Sequence, residues 1–216
     1  VEKPHLESFH KFVDSNFKIV NNENKDPIEY VDSILSNYGN TVLQPGNVIF
    51  CPAEVKTKSH DSMRKLLMEK YKINCIVING KDKKLYYNKD NQIKIKDFSK
   101  LNNIEFSNIL GVLYEYTKYL RNNPLAITGN ICIERGITIS SSKCMITHGI
   151  FSSYFEKKCA KSYQIAGRIC GNTKNFTNYK KPTIYCTQGF HDLVSIMEKK
   201  VINLSKKWKT QKWVNA

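Results

Sequence analysis

Five short apolar runs constrain this chain more than any other feature. They are 47-NVIFC-51, 74-NCIVING-80, 124-PLAIT-128, 143-KCMITHGI-150 and 183-TIYCT-187. Each is continuously apolar instead of alternating with polar residues, and each lies among stretches of helical periodicity. A strand that is apolar on both sides needs cover on both sides. Such strands, spaced by helices, predict a parallel sheet with helices on both faces, the doubly wound α/β class.

The intervening stretches supply the helices. After Pro27, the residues Ile28, Val31, Ile34 and Leu35 fall on one helical face, and Gly39 is placed to end it. A helix capped by Ser59 is expected over 59–72, and another over 106–121 with Phe106, Ile109, Leu110, Leu113 and Leu120 inward. Residues 160–170 and 190–208 read as helices, and 84–95 as a small hairpin. Residues 1–26 are polar and Asn-rich and read as a linker or docking segment. Residues 27–200 then form the domain, and 201–216 a basic helix end or tail. The chain starts at Val1 without an initiator Met, which reads as an excised piece of a longer protein.

The 34 Lys and Arg residues outnumber the 19 Asp and Glu, for a formal net charge of +15. A balance this basic points to a polyanion partner. Thirty of the basic residues are lysine and four are arginine: Arg64, Arg121, Arg135 and Arg168. Lysine provides diffuse charge, whereas arginine provides a rigid fork of donors suited to phosphate. No apolar run approaches bilayer-crossing length, and the amino-terminal stretch has no secretory core, so no membrane partner is expected. The seven cysteines, at 51, 75, 132, 144, 159, 170 and 186, form no CxxC pair and mostly sit in apolar runs. Reduced, buried thiols in an intracellular compartment are expected. The five histidines are scattered without metal-ligand spacing, so no metal site is expected in this chain.

In open parallel sheets, function collects at the carboxyl ends of the strands. The segments to inspect are therefore 51-CPAEVKTKSH-60, 79-NGKDKK-84, 128-TGNICIERGITISSS-142 and 148-HGIFSSY-154, followed by 161-KSYQIAGRICGNTKNF-176. Gly80-Lys81 is not a Walker A loop, because Cys75 stands where a glycine is needed and Asp82 where Ser or Thr is needed. No acidic box follows a strand. A self-sufficient nucleotide triphosphatase site is therefore not expected.

Two of these segments together resemble the C-terminal RecA-like domain of superfamily 2 helicases. The stretch 128-TGNICIERGITIS-140 resembles motif V, with a strand-end threonine and then Arg-Gly before a further strand. The stretch 164-QIAGRICG-171 resembles motif VI, whose common form is Q-x-x-G-R-x-G-R. Upstream, 48-VIFCPAEVKTKSHDSMRKLL-67 is similar to the motif IV region. The likeness spans about residues 27–200, and its wording is similar to helicases of large DNA viruses and phages. It implies a RecA-like parallel sheet and a role as the second motor domain of an ATP-dependent helicase or translocase. ATP and Mg²⁺ would be bound only together with an N-terminal RecA-like domain of the same polypeptide.

By that resemblance, Arg168 is the arginine offered to the γ-phosphate and Gln164 the neighbour that senses the nucleotide. Arg135 and Gly136 would face the nucleotide between the domains. Thr128, Gly129, Lys56, Thr57 and Lys58 would contact a nucleic-acid backbone, DNA in preference to RNA. One position departs from the pattern: Asn172 stands where a second arginine is usual, with Lys174 nearby as a poorer substitute.

The residues taken alone leave plainer readings open. Thr128 suits a satisfied strand-end hydroxyl, Arg135 an ion pair with Glu134, and Lys56 to Ser59 an ordinary helix start. In the tail, Trp208 and Trp213 among lysines suit either single-strand stacking or packing on the sheet. The alternative at the level of function is a non-catalytic RecA-like nucleic-acid-binding module of a viral replication or transcription protein.

Overall fold

The computed structural model describes residues 9–22, 26–80, 83–89, 91–103, 111, 113, 122–130, 142–157 and 159–214. Eight strands form one mixed sheet: β1 (Asn16–Ile19), β2 (Val48–Pro52), β3 (Asn74–Ile78), β4 (Lys83–Tyr87), β5 (Asn91–Lys94), β6 (Leu125–Gly129), β7 (His148–Phe151) and β8 (Thr183–Cys186). Their order across the sheet is β1-β8-β7-β2-β6-β3-β4-β5. The first six in that order pair in parallel, and the β4–β5 hairpin continues the sheet antiparallel from β3. The chain is thus an α/β protein with a mostly parallel sheet. All five runs singled out in the sequence supply strands, although the run at 143–150 yields a strand only from His148.

The continuous apolar character of the central strands is explained by the two cores they separate. Val48, Phe50, Ile76, Ile78, Leu125, Ile127, Phe151 and Ile184 face one core. Ile49, Cys51, Cys75, Val77, Ala126, Ile150 and Tyr185 face the other. Alternate residues of a strand point to opposite sides, so both sets must be apolar when both sides are covered.

The second core is closed by helices α1 (Pro27–Val42) and α2 (Thr57–Lys65), through Tyr30, Val31, Ile34, Leu35, Met63 and Leu67. The first is closed by α3 (Ile95–Leu101), α4 (Cys159–Ala166) and α5 (Gln188–Val214), through Ile95, Ile165, Ala166, Phe190 and Val194. Fully burying one such aliphatic or aromatic side chain contributes roughly 1.5–3 kcal/mol.

Helix ends differ from their sequence-based positions for local reasons. Asp26 caps α1 by accepting from the Ile28 amide at 2.7 Å, and the helix runs past Gly39 to Val42. α2 starts two residues before Ser59, whose hydroxyl instead accepts from the Glu54 amide at 3.1 Å. It then widens into a π-helical turn, Leu66–Lys70. The helix expected over 106–121 and the stretch 131–141, which includes Arg135 and Gly136, lie outside the described residues.

Part of the segment expected to be a linker or docking segment docks into the fold. Residues Asn16–Ile19 pair with β8 as an edge strand, and Phe12 is fully buried in the first core. The amides of Phe12 and Val13 donate to Glu198 of α5 at 2.8 and 3.0 Å. The basic end expected from residue 201 continues α5 as far as Val214. No helix among the described residues is long and apolar enough to cross a membrane.

Candidate nucleic-acid interface

β2 and β6 are direct neighbours, with Cys51 opposite Thr128 and Pro52 opposite Gly129. Two segments far apart in the sequence therefore end side by side at the carboxyl edge of the sheet. The joint is tight. The Ala53 amide donates to the Gly129 carbonyl at 2.9 Å, and Asn130 Nδ2 donates to the Ala53 carbonyl at 2.9 Å. A side chain at Gly129 would bring a Cβ to 2.0 Å from the Ile78 carbonyl oxygen, so only glycine fits there.

The loop that follows β2 is held from below. Ser59 Oγ accepts from the Glu54 amide, and buried His60 donates from Nε2 to the Glu54 carbonyl at 2.7 Å. That bond sets the His60 tautomer and leaves Nδ1 buried, with no hydrogen-bond partner among the described residues. On this fixed loop and the first turn of α2, Lys56, Thr57 and Lys58 are exposed. Helix α2 has no side-chain cap at Lys56, so its first amides are available to an acceptor.

Thr128 is placed differently from the lysines. It belongs to the face covered by α1 and α2, is 0% exposed, and its hydroxyl has no hydrogen-bond partner among the described residues. The hydroxyl therefore does not reach solvent at the edge, unlike Lys56, Thr57 and Lys58.

A cavity of about 150 Å³ opens beside this joint, lined by Val55, Asn130, Tyr154, Phe155, Lys157 and Lys161. It draws on the loops after β2, β6 and β7 and on the first turn of α4. Sequence reasoning pointed to the loop after β7 but did not single out Tyr154, Lys157 or Lys161. Their only sequence signal is their position after an apolar run.

The neighbouring amino end of α5 is already supplied with an anion. Glu156 accepts a hydrogen bond from Thr187 Oγ1, and its carboxylate lies so close to Gly189 that a Cβ there would sit 2.6 Å from an oxygen.

Gln164 and Arg168 lie at the other end of α4. Gln164 is exposed, and Arg168 is half-buried in the turn that follows the helix, where burial lowers its pKa from the usual guanidinium value. Ile169 locks this turn onto the sheet by packing against Gly149, where a Cβ would meet its Cδ1 at 2.3 Å. Gly171, with a φ of +145°, then pairs with His10 through hydrogen bonds of 2.7 and 3.1 Å. Residues 10–15 and 182 lie at the amino-terminal edge of the sheet, since Asn16 N donates to Pro182 O at the start of β1 and β8. The length of α4, roughly 12 Å at 1.5 Å per residue, thus separates Arg168 from the cavity at the carboxyl edge. Lys174, two residues beyond Asn172, is engaged with Asp14, Nζ to Oδ2 at 2.8 Å.

The described cysteines are free thiols, and burial raises the pKa of Cys51, Cys75, Cys144 and Cys186, which keeps them protonated. Among the described residues no group of three or more His, Cys, Asp or Glu could hold a metal ion. No protein-family model matches the chain, and no curated protein is significantly similar to it.

Proposed function

We propose that this chain is the RecA-like second motor domain of an ATP-dependent nucleic-acid helicase or translocase. The observation that carries the reading is the meeting of two segments at one sheet edge. The segments 51-CPAEVKTKSH-60 and 128-TGN-130 resemble successive helicase motifs, and they are stapled together through Ala53, Gly129 and Asn130. In that class of motor these elements track the nucleic-acid backbone, and here they expose Lys56, Thr57 and Lys58 beside a helix start.

The position of Arg168 suits the other half of the task. ATP and Mg²⁺ would be held by an N-terminal RecA-like domain, with Gln164 and Arg168 presented to the nucleotide from this one. A guanidinium placed at the γ-phosphate stabilises the charge that spreads over its oxygens during phosphoryl transfer. A half-buried guanidinium is less screened by water and acts more strongly on that charge. Helix α4 joins the two regions, with Lys161 in its first turn at the nucleic-acid edge and Arg168 just past its last. A shift of this helix would couple strand binding to the nucleotide.

Arg168→Ala in the full-length polypeptide is the test. ATP turnover stimulated by nucleic acid should fall by about 10³-fold or more, as for other arginines that act on a transferring phosphoryl group. Unchanged turnover would remove Arg168 from the site. The alternative, a binding module without hydrolysis, is favoured by one observation: Asn172 stands where the resembled motif carries a second arginine, and the nearby Lys174 is paired with Asp14. Wild-type protein that binds strands but never turns over ATP would select that reading.

A further inference from the structure

We infer that the cavity at the carboxyl edge receives one base of a single-stranded nucleic acid, with Tyr154 as its stacking platform. The inference rests on the nucleic-acid reading above and adds the form of the polymer and the means of its recognition.

The cavity has about 150 Å³. That is well below the roughly 300 Å³ at which small-molecule sites begin. It suits a single flat ring and not a whole nucleotide. Its wall is aromatic and aliphatic, from Tyr154, Phe155 and Val55, with Lys157 and Lys161 beside them. Val55 is 59% exposed even though its loop is pinned by hydrogen bonds on both sides, so an apolar surface is held out towards solvent. The Tyr154 ring is fixed in turn. The ring stands edge-on to Phe155 at 5.1 Å and 86°, and burial together with the Glu54 carboxylate raises the pKa of its hydroxyl. Lys157 Nζ lies 4.8 Å from the ring centroid.

A rigid aromatic ring among cations is the usual platform for single strands, because every base has a face to stack. The exposed Lys56 and Lys58 lie just beyond Val55 in the chain, where the backbone phosphates on either side of an inserted base would run. A paired base in a duplex is not available to such a cavity without unstacking, at a cost of a few kcal/mol.

Fluorescence anisotropy of the 216-residue chain decides the matter. The probes are a labelled oligothymidylate, a duplex of equal length, and the same strand made wholly of abasic sites. The single strand should bind more tightly than the duplex. Tyr154→Ala should weaken single-strand binding by about 5- to 150-fold, the range for one lost stacking contact. Tyr154→Phe, which keeps the ring, should retain the affinity. The abasic strand should bind wild-type protein weakly and be indifferent to Tyr154→Ala.

Equal binding of duplex and single strand, or of abasic and normal strand, overturns the inference. So does a folded Tyr154→Ala protein with wild-type affinity. If Lys56→Gln with Lys58→Gln still weakens binding in those cases, the nucleic-acid reading survives and only the base cavity falls. Failure to bind any strand at low salt overturns both. Should Tyr154→Ala fail to fold, the abasic comparison on wild-type protein decides alone.

Discussion

Thr128 shows how a single position divides between packing and chemistry. Its place at the end of an apolar run was legible in the sequence. Its direction was not, because a strand buried on both faces has no polar alternation to mark its sides. In the structure it stands between Cys51 and Val77, its hydroxyl buried without a described partner. A buried hydroxyl left unsatisfied costs about 1–3 kcal/mol. Thr128→Val keeps the shape and removes that group, so it should raise stability by about 1 kcal/mol in urea unfolding. A loss of strand binding in the same variant would show instead that the hydroxyl turns out to meet the ligand. Arg168 poses the reverse case: its residue type and flanking glycines marked it in the sequence, while its separation from the lysines depended on which way α4 runs.

Among the elements, the amino-terminal segment holds the largest difference between pattern and structure. It has little periodicity, because a short 3₁₀ turn and a four-residue edge strand leave almost none. Its partners, β8 and Glu198, lie far along the chain, and no local signal announces them. His10 is at its centre, 1% exposed, with Nδ1 at 2.7 Å from Tyr179 and Nε2 at 2.9 Å from Ser15. Burial lowers its pKa from 6.5 to about 4, with Lys174 and Lys181 adding to the effect and Asp14 opposing it. The folded state therefore binds fewer protons than the unfolded state between those values. Stability is fully present above about pH 6.5 and declines as pH falls towards 4, by about 3 kcal/mol for this group. His148, lowered to about 4 by burial and by Lys18, acts in the same direction. Asp14 and Asp32, whose pKa values are lowered, lose their contribution only below the ordinary carboxylate range, so the two windows separate. Urea unfolding at pH 7 and pH 5 should show the decline, and His10→Gln should reduce it.

Across the whole molecule, the charge of +15 becomes informative through its placement. Composition alone does not distinguish a solvated surface from a binding surface. The structure adds placement: Lys157 and Lys161 line the cavity beside Val55, and the exposed Lys56 and Lys58 follow Val55 in the chain. If these lysines meet phosphates, binding to single strands should weaken with salt, and each phosphate contact contributes about 0.7 to the slope of log K against log salt. Lys56→Gln with Lys58→Gln should reduce that slope by about 1.4. Anisotropy titrations over a range of salt concentrations measure it, and an unchanged slope would place the phosphates elsewhere.

The α/β class, the parallel core strands, the β4–β5 hairpin and the burial of Cys51, Cys75, Cys144 and Cys186, though not of the exposed Cys159, followed from the order of residues. Each rests on local periodicity or on the solvation preference of a residue type, and both act within a few residues of chain. The neighbourship of β2 and β6, the facing of Thr128, the partners on which residues 10–19 dock and the cavity around Tyr154 did not follow from it. Those features depend on which distant segments share an edge or a face. That choice is made by the packing of two cores at once, and no short stretch of sequence contains it.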